Sequence, residues 1–190
     1  MVNRKIEKWK RLATEYIIRR PWLTARKDTV MLPDGRINDE YYVLEYPAWV
    51  NVIAITKDGQ FLMVEQYRHG LGDVFVELCA GVVEEGETPL QAARRELLEE
   101  TGYSGGEWRL LDTICQNPST CTNLTYCFLA EGVEPIGSQN LDETEEINVR
   151  LLSEAEIMEM LEEGRMKQSL MAAPLWHYFA TLRDKSCSQE

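Results

Sequence analysis

The sequence has few positive charges and no long run of apolar residues. Its 20 lysines and arginines are outnumbered by 32 acidic residues, which gives a formal net charge of −12. Such a chain is repelled by polyanions at long range, so nonspecific nucleic-acid binding is disfavoured. No stretch approaches the roughly 18 apolar residues needed to cross a bilayer, and the charged residues 1–12 lack the apolar core of a secretory signal. We therefore expect neither a nucleic-acid nor a membrane partner.

Cysteine and histidine are also scarce. The five cysteines are an odd number without a Cys-x-x-Cys pair, which argues against a disulfide framework or a zinc site. We accordingly expect a reducing, cytoplasmic location. His69 and His177 belong to no nucleophile constellation, and the chain has no P-loop, dinucleotide-binding or Gly-x-Ser-x-Gly motif. Serine hydrolase, NTP-driven and dinucleotide-dependent classes therefore lack support.

The pattern of strands and helices predicts an α/β or α+β domain with an N-terminal extension. Residues 1–47 form a small β unit, with strands over 22–32 and 41–46 around a Pro-Asp-Gly turn. This unit is too small to hold a core of its own. Residues 48–185 form the main domain, and 186–190 are a tail. The main domain is predicted to have strands at 49–55, 61–67, 74–80, 108–115 and 122–130, and helices at 89–101, 153–163 and 170–182, the last with Pro174 in its first turn.

The helix predicted over 89–101 carries an unusual set of acidic residues. Thr88 suits the N-cap, Gln91 completes a capping box and Gly102 suits the C-terminal cap. Glu96 and Glu100 are one turn apart with Glu99 beside them, and like charges at this spacing destabilise a helix. Such a cluster either points into bulk water or holds a hard cation such as Mg²⁺, which favours oxygen ligands.

The residues around this helix resemble the signature of the Nudix hydrolases: Gly, five residues, Glu, seven residues, then Arg-Glu-aliphatic-x-Glu-Glu-x-Gly-hydrophobic. The resemblance implies a mixed sheet sandwiched between helices. It also implies Mg²⁺ as the cofactor, with Mn²⁺ as an alternative. It implies that Gly81 allows a sharp turn out of a strand, and that Arg95 and Glu87 lock the loop to the helix. The implied metal ligands are the Ala80 carbonyl, Glu96, Glu99 and Glu100.

The flanking residues resemble the ADP-ribose and nucleotide-sugar pyrophosphatase subfamily. They are Glu65-Gln66-Tyr67-Arg68, Glu77-Leu78-Cys79-Ala80-Gly81 and Pro118. This resemblance implies a homodimer formed through the N-terminal β unit. It also implies that Arg68 contacts substrate phosphates, the alternative being a surface salt bridge. Trp22 matches an aromatic that stacks on the nucleobase, the alternative being a core tryptophan.

Residues 141–147 resemble the mobile acidic loop of ADP-ribose pyrophosphatases. Glu143 best matches the general base and Glu145 a second catalytic or metal-binding position, the alternative being a solvated acidic loop. After Pro118 the chain lacks the glycine-rich stretch and acidic residue of the better-known ADP-ribose enzymes. Asn123 stands where a substrate-contacting glutamate is expected, which leaves ADP-glucose, GDP-mannose and related substrates open.

The resemblance implies a Mg²⁺-dependent hydrolase that splits a nucleoside diphosphate sugar into a nucleoside monophosphate and a sugar phosphate. The alternative is a non-catalytic module that senses nucleotide sugars on the same fold. Such modules typically lose glutamates of the signature, whereas this chain keeps all four: Glu87, Glu96, Glu99 and Glu100. Base, sugar and number of metal ions are left open.

Overall fold

The computed structural model describes residues 5–187. By contacts the chain divides into two compact units, one extending to Tyr46 and including Asn117–Asn123, the other comprising Pro47–Gln116 and the chain from Leu124 onward. The predicted tail at 186–190 lies outside the described residues from residue 188 onward.

The first unit is a three-stranded antiparallel sheet. It comprises β1 (Lys10–Arg20), β2 (Leu23–Met31) and β3 (Ile37–Glu45), in the order β1-β2-β3. The two predicted strands are confirmed, and Gly35 closes the turn between them with φ of 87°. The sequence did not predict β1 as a strand.

Two features hold this small sheet together. Arg26 and Asp28 on β2 are buried and ion-paired, and Glu45 on β3 pairs with Arg26 at 2.7 Å. Backbone bonds from Leu44 N–H to the Thr120 carbonyl and from Thr122 N–H to the Leu44 carbonyl fasten the segment 117–123 beside β3. The strand predicted to begin at Thr122 is therefore wrong in its start, because Thr122 and Asn123 belong to this unit.

The second unit contains a seven-stranded mixed sheet. Its main path has the order β10-β5-β4-β9-β8, while β6 pairs with β5 and β7 pairs with β4. The β4–β9 pair is parallel, and the other pairs are antiparallel. The strands are β4 (Trp49–Thr56), β5 (Phe61–Arg68), β6 (Asp73–Glu77), β7 (Cys79–Val82), β8 (Tyr103–Ile114), β9 (Thr125–Pro135) and β10 (Ile147–Leu152).

The single strand predicted over 74–80 is wrong, because the structure splits it at Leu78. Before this residue β6 pairs with β5, and after it β7 pairs with β4. Leu78 itself is fully buried. This change of pairing partner from β5 to β4 depends on tertiary contacts. The local pattern of hydrophobic residues does not encode it.

Three helices complete the unit: α1 (Pro89–Thr101), α2 (Glu154–Glu162) and α3 (Ser169–Cys187). Capping boxes at Thr88 and Ser153 begin the first two, as predicted. Pro174 is not in the first turn of α3 but is the sixth residue of the helix. Because proline has no backbone N–H, the Leu170 carbonyl lacks its helical donor, and the Asn51 side chain donates to it instead at 2.6 Å.

The sheet buries residues on both faces, since successive strand residues point to opposite sides. In β4, Val50, Val52 and Ala54 belong to the cluster that contains α1 residues, whereas Ile53 and Ile55 join residues of α2 and α3. This is the mixed α+β architecture expected from the sequence. No helix within residues 5–187 is long and apolar enough to span a membrane.

Candidate active site

Helix α1 forms as its sequence predicts and fixes the positions of the acidic residues. The Thr88 side chain accepts from the Gln91 N–H, and Gly102 ends the helix with φ of 74°. Ala93, Leu97 and Thr101 are buried along one stripe, and Glu96 and Glu100 lie along the margin of that stripe. Gly102 must be glycine because its φ is positive and a Cβ would lie 2.5 Å from the Gly137 carbonyl.

Arg95 connects the loop before α1 to the helix. Its Nε and Nη2 donate to the two Glu87 carboxylate oxygens at 2.9 and 3.1 Å, and Nη2 also donates to the Val82 carbonyl. Its Nη1 donates to Glu96 and Glu99 at 2.9 and 3.0 Å. This fork geometry suits arginine better than lysine. The hydrogen bonds from Arg95 also lower the pKa of Glu87.

Glu100 is buried and does not point into bulk water. Only 3% of the residue is accessible, and its Oε2 accepts from the Ala80 N–H at 3.1 Å. Burial raises the pKa of Glu100 to about 8, and the nearby charges of Glu96 and Glu145 contribute in the same direction. Burial likewise raises the pKa of Glu96, despite its bond to Arg95. In the absence of a cation, burial therefore disfavours the charged forms of both carboxylates.

Gly81 serves a purpose other than the sharp turn expected from the sequence. It lies within β7, and its φ is not positive. A Cβ built at this position would lie 2.0 Å from the Glu96 carboxylate carbon. Glycine is required here because a carboxylate approaches the backbone closely.

Replacing Gly81 by alanine should displace the Glu96 carboxylate. The protein should lose little stability, because the new methyl group contacts only the end of a flexible side chain. We expect kcat to fall by roughly 100-fold, the scale for misplacing a catalytic group by about 1 Å, with Tm nearly unchanged. Gly137→Ala is the matched control, since a Cβ there meets nothing within 4 Å and φ is not positive. Equal activity of the two variants would contradict this role.

The acidic loop predicted at 141–147 is fastened to the end of α1. Asn140 N–H donates to the Glu99 carbonyl, and the Gln139 amide donates to the carbonyls of Glu100 and Ile147 at 2.6 and 3.1 Å. A turn joins Asp142 and Glu145 by two hydrogen bonds. The charge of Glu145 raises the pKa of both Glu96 and Glu100, which places Glu145 near the cluster. Nothing in the sequence pattern distinguished Gln139.

The remaining predicted residues lie in different settings. Arg68 donates through Nε and Nη2 to Glu77 at 2.9 and 2.6 Å. Its side chain therefore forms a salt bridge, which was the alternative to a phosphate contact. Glu77 is buried; the sequence marked it only as part of a motif. Trp22 is 84% exposed in the first unit, which excludes the core alternative. Asn123, also in the first unit, is buried.

A cavity of about 390 Å³ opens in the second unit. Arg68, Glu77, Ala80 and Gly81 line one part of it, and residues from β4 and the start of α3 line another. Its size lies in the range of small-molecule sites. The Arg68 guanidinium, Glu77 and the backbone of β7 line this concave surface, and Glu96 and Glu100 approach that backbone closely.

Comparison with known families identifies this arrangement. A model described as NUDIX domain matches residues 45–172, and one described as nucleoside diphosphate sugar hydrolase N-terminal domain matches residues 9–44. The chain belongs to the Nudix family. It is a Nudix pyrophosphohydrolase, as the signature predicted.

Its relatives within the Nudix family have diverse names. The methanol dehydrogenase activator of Bacillus methanolicus is 32% identical over 166 residues, covering 87% of this chain and 89% of that protein. The ADP-ribose pyrophosphatase of Bacillus subtilis (strain 168) is 30% identical over 154 residues, covering 80% and 83%. A crystal structure of an ADP compounds hydrolase shares the fold, with a TM-score of 0.84 at 21% identity over 96% of this chain and 98% of that one.

Proposed function

We propose that this Nudix protein hydrolyses the pyrophosphate bond of a nucleoside diphosphate sugar and releases a nucleoside monophosphate and a sugar phosphate. The observation that carries the proposal is the pair of glutamates, part-buried Glu96 and buried Glu100, whose charged forms burial disfavours, next to the backbone of Ala80 and Gly81, which line a cavity with Arg68. Names of relatives agree, since one is an ADP-ribose pyrophosphatase. The presence of all four signature glutamates favours catalysis over a purely sensing module.

The donor set suits a hard divalent cation, for which we propose Mg²⁺ with Mn²⁺ as the alternative. Glu96, Glu99, Glu100 and the Ala80 carbonyl supply oxygen donors only, the kind that Mg²⁺ prefers. Within residues 5–187 no three acidic, histidine or cysteine side chains converge closely enough to enclose an ion as they stand. Arg95 holds one oxygen each of Glu96 and Glu99, so ligation uses their other oxygens or small side-chain rotations. When bound, the cation neutralises diphosphate oxygens and activates water.

The chain's own groups supply positioning and proton transfer. Arg95 and Glu87 hold the loop to α1 and keep the carboxylates in place. Arg68, kept in orientation by Glu77, binds substrate phosphate with the guanidinium edge that the salt bridge leaves accessible. A carboxylate of the acidic loop accepts the proton of the attacking water. The family resemblance assigns this base to Glu143, whereas the electrostatic effect of Glu145 on the cluster supports Glu145.

Two further roles belong to the first unit. Trp22 is exposed enough to stack on a nucleobase, a contact worth about 1–3 kcal/mol per base. Asn123 has a buried Oδ1 that no donor within residues 5–187 satisfies, which is consistent with a polar substrate contact. We assign nucleobase stacking to Trp22 and a hydrogen bond to substrate to Asn123.

A substrate screen tests the function directly. ADP-ribose, ADP-glucose, GDP-mannose and UDP-glucose are incubated with the protein and Mg²⁺, Mn²⁺ or EDTA, and both products are identified by chromatography. We expect a nucleoside monophosphate and a sugar phosphate from at least one substrate, and none in EDTA. Release of inorganic phosphate, or no turnover of any substrate, would overturn the assignment.

We also propose a homodimer formed through the N-terminal sheet. All eleven residues of the edge strand β1 are exposed, including apolar Leu12, Ile17 and Ile18. An edge strand with unpaired backbone groups and apolar side chains is suited to pairing with a second copy. Free thiols are present at Cys79, Cys115, Cys121 and Cys127, which fits the reducing cytoplasm as the proposed location.

The dimer gives a direct prediction for solution mass. Ile18→Asp should raise the dimer dissociation constant by roughly 100-fold, as expected for damage to a buried interface position. Light scattering after size exclusion should then show the 21.9 kDa monomer. The matched control is Ile136→Asp, which changes an exposed isoleucine of the second unit, 65% accessible against 40% for Ile18, and should leave the dimer intact. A monomeric unmodified protein would contradict the proposal.

A further inference from the structure

The side-chain amide of Gln139 joins the end of α1 to both ends of the acidic loop. Its Nε2 donates to the Glu100 carbonyl at 2.6 Å and to the Ile147 carbonyl at 3.1 Å. Gln139 stands two residues before the loop, and Ile147 is both the last residue of the loop and the first of β10. One nitrogen therefore ties the entry of the loop, its exit and the helix that carries the glutamates.

The two acceptors determine how this amide is oriented. A side-chain amide nitrogen has two N–H donors, and here it has two backbone carbonyls as acceptors. A flipped amide would set its Oε1 against both carbonyl oxygens, so the nitrogen is the atom that faces them. The last carbonyls of a helix lack donors within the helix. Gln139 serves that of Glu100, and the Asn140 N–H serves that of Glu99 at 2.8 Å.

The ends of the acidic loop are attached to well-packed parts of the second unit. Ile147 is buried and pairs with Gln66 on β5. Leu141, the first residue of the loop, packs against the buried cluster that contains Leu97 of α1. Residues 142–146 between them are exposed. A short loop whose ends are tied together has few conformations open to it, so these contacts restrict where its exposed residues lie.

The charges in this region oppose such a placement. The end of α1 combines the glutamate cluster with the negative end of the helix dipole. The charge of Glu145 raises the pKa of both Glu96 and Glu100, which is the effect of repulsion between like charges. Hydrogen bonds from the uncharged amide of Gln139 oppose this repulsion without neutralising any carboxylate. The carboxylates that the loop carries are Asp142, Glu143, Glu145 and Glu146.

We propose that Gln139 is a positioning residue of the reaction, whose two hydrogen bonds hold the acidic loop against the end of α1 and so place the general base. This inference rests on the proposed function and adds to it a residue outside the signature. Gln139 acts only through the loop carboxylates, whichever of Glu143 and Glu145 is the base.

The first test follows the loop itself and requires no turnover. Gln139→Met removes the donor at nearly constant side-chain shape, and hydrogen exchange is measured by mass spectrometry in EDTA. Exchange over residues 141–147 should become about tenfold faster, the scale of one net hydrogen bond. Asn140→Leu is the matched control, because it removes the neighbouring amide but keeps the backbone N–H that donates to Glu99. Equal exchange of the two variants would overturn the proposal.

The second test asks whether Gln139 acts through the base. We expect kcat of Gln139→Met to fall about tenfold at unchanged KM, because the base acts in the transition state. In a protein that carries both Glu143→Gln and Glu145→Gln, Gln139→Met should lower kcat no further. A further tenfold loss in that background, or an unchanged kcat of Gln139→Met alone, would overturn the positioning role. Absence of turnover in the unmodified protein would contradict the proposed function, on which the exchange measurement does not depend.

Discussion

Glu100→Gln should abolish turnover while making the metal-free protein no less stable. Loss of a carboxylate from the proposed cation site should lower kcat/KM by roughly three orders of magnitude, the scale of removing a principal electrostatic contribution. The fold should tolerate the change because glutamine has the same shape and retains an oxygen to accept from the Ala80 N–H. Glutamine also resembles the protonated, uncharged form of Glu100 that burial favours.

The pH dependence of stability provides an independent check of this burial. The folded protein keeps the Glu100 proton up to a pKa of about 8, whereas an unfolded glutamate loses it near the ordinary value of 4.5. Between these values the unfolded state binds fewer protons, so the free energy of unfolding contributed by Glu100 falls as pH rises. In EDTA the Tm of the unmodified protein should therefore drop relative to that of Glu100→Gln between about pH 5 and 8.

Glu85→Gln is the matched control for both measurements. Glu85 lies in the same signature segment and is exposed. Its replacement by glutamine removes one carboxylate, as Glu100→Gln does. Its activity and its pH dependence in EDTA should follow those of the unmodified protein. Near-normal turnover of Glu100→Gln would contradict the cation site, and a Tm difference independent of pH would contradict the raised pKa.

Much of α1 could be predicted because its signals are local. The capping box of Thr88 and Gln91, the proline at the first position and Gly102 all act within one turn of the helix ends, and the helix has the predicted bounds. The spacing of Glu96 and Glu100 follows directly from helical geometry. Helical spacing does not identify the residues that pack against each side chain. The burial of Glu100 against β7 was therefore not predicted.

The predictions that were wrong share this cause, because each depended on a contact with a residue distant in the sequence. The break at Leu78 arises because two strands of one apolar run pair with different partners, and the 117–123 segment lies beside β3 through backbone bonds that any sequence can form. Gly81 was correctly identified as necessary but for the wrong reason. Its neighbour, the Glu96 carboxylate, is fifteen residues away along the chain. The hydrogen bond from the Asn51 amide to the Leu170 carbonyl likewise depends on Pro174 in a distant helix.

The acidic loop provides the second large expected effect, because it must supply the base. Glu145→Gln should lower kcat by roughly 100- to 1,000-fold, the usual contribution of general base catalysis, while Glu143→Gln should change it little. The structural reason is that the Glu145 charge already acts on Glu96 and Glu100. The turn between Asp142 and Glu145 and the Gln139 bonds to α1 hold the loop against the helix end.

Magnesium titration distinguishes a base from an additional metal ligand. If Glu145 moves the proton, kcat of Glu145→Gln stays low at saturating Mg²⁺, whereas loss of a ligand is rescued by a higher concentration. The two variants are a matched pair, since both residues are exposed and both changes remove one charge from one loop. A larger loss of kcat in Glu143→Gln than in Glu145→Gln would identify Glu143 as the general base, as the family resemblance implies. The Glu145 charge would then act on the cluster only by electrostatic repulsion.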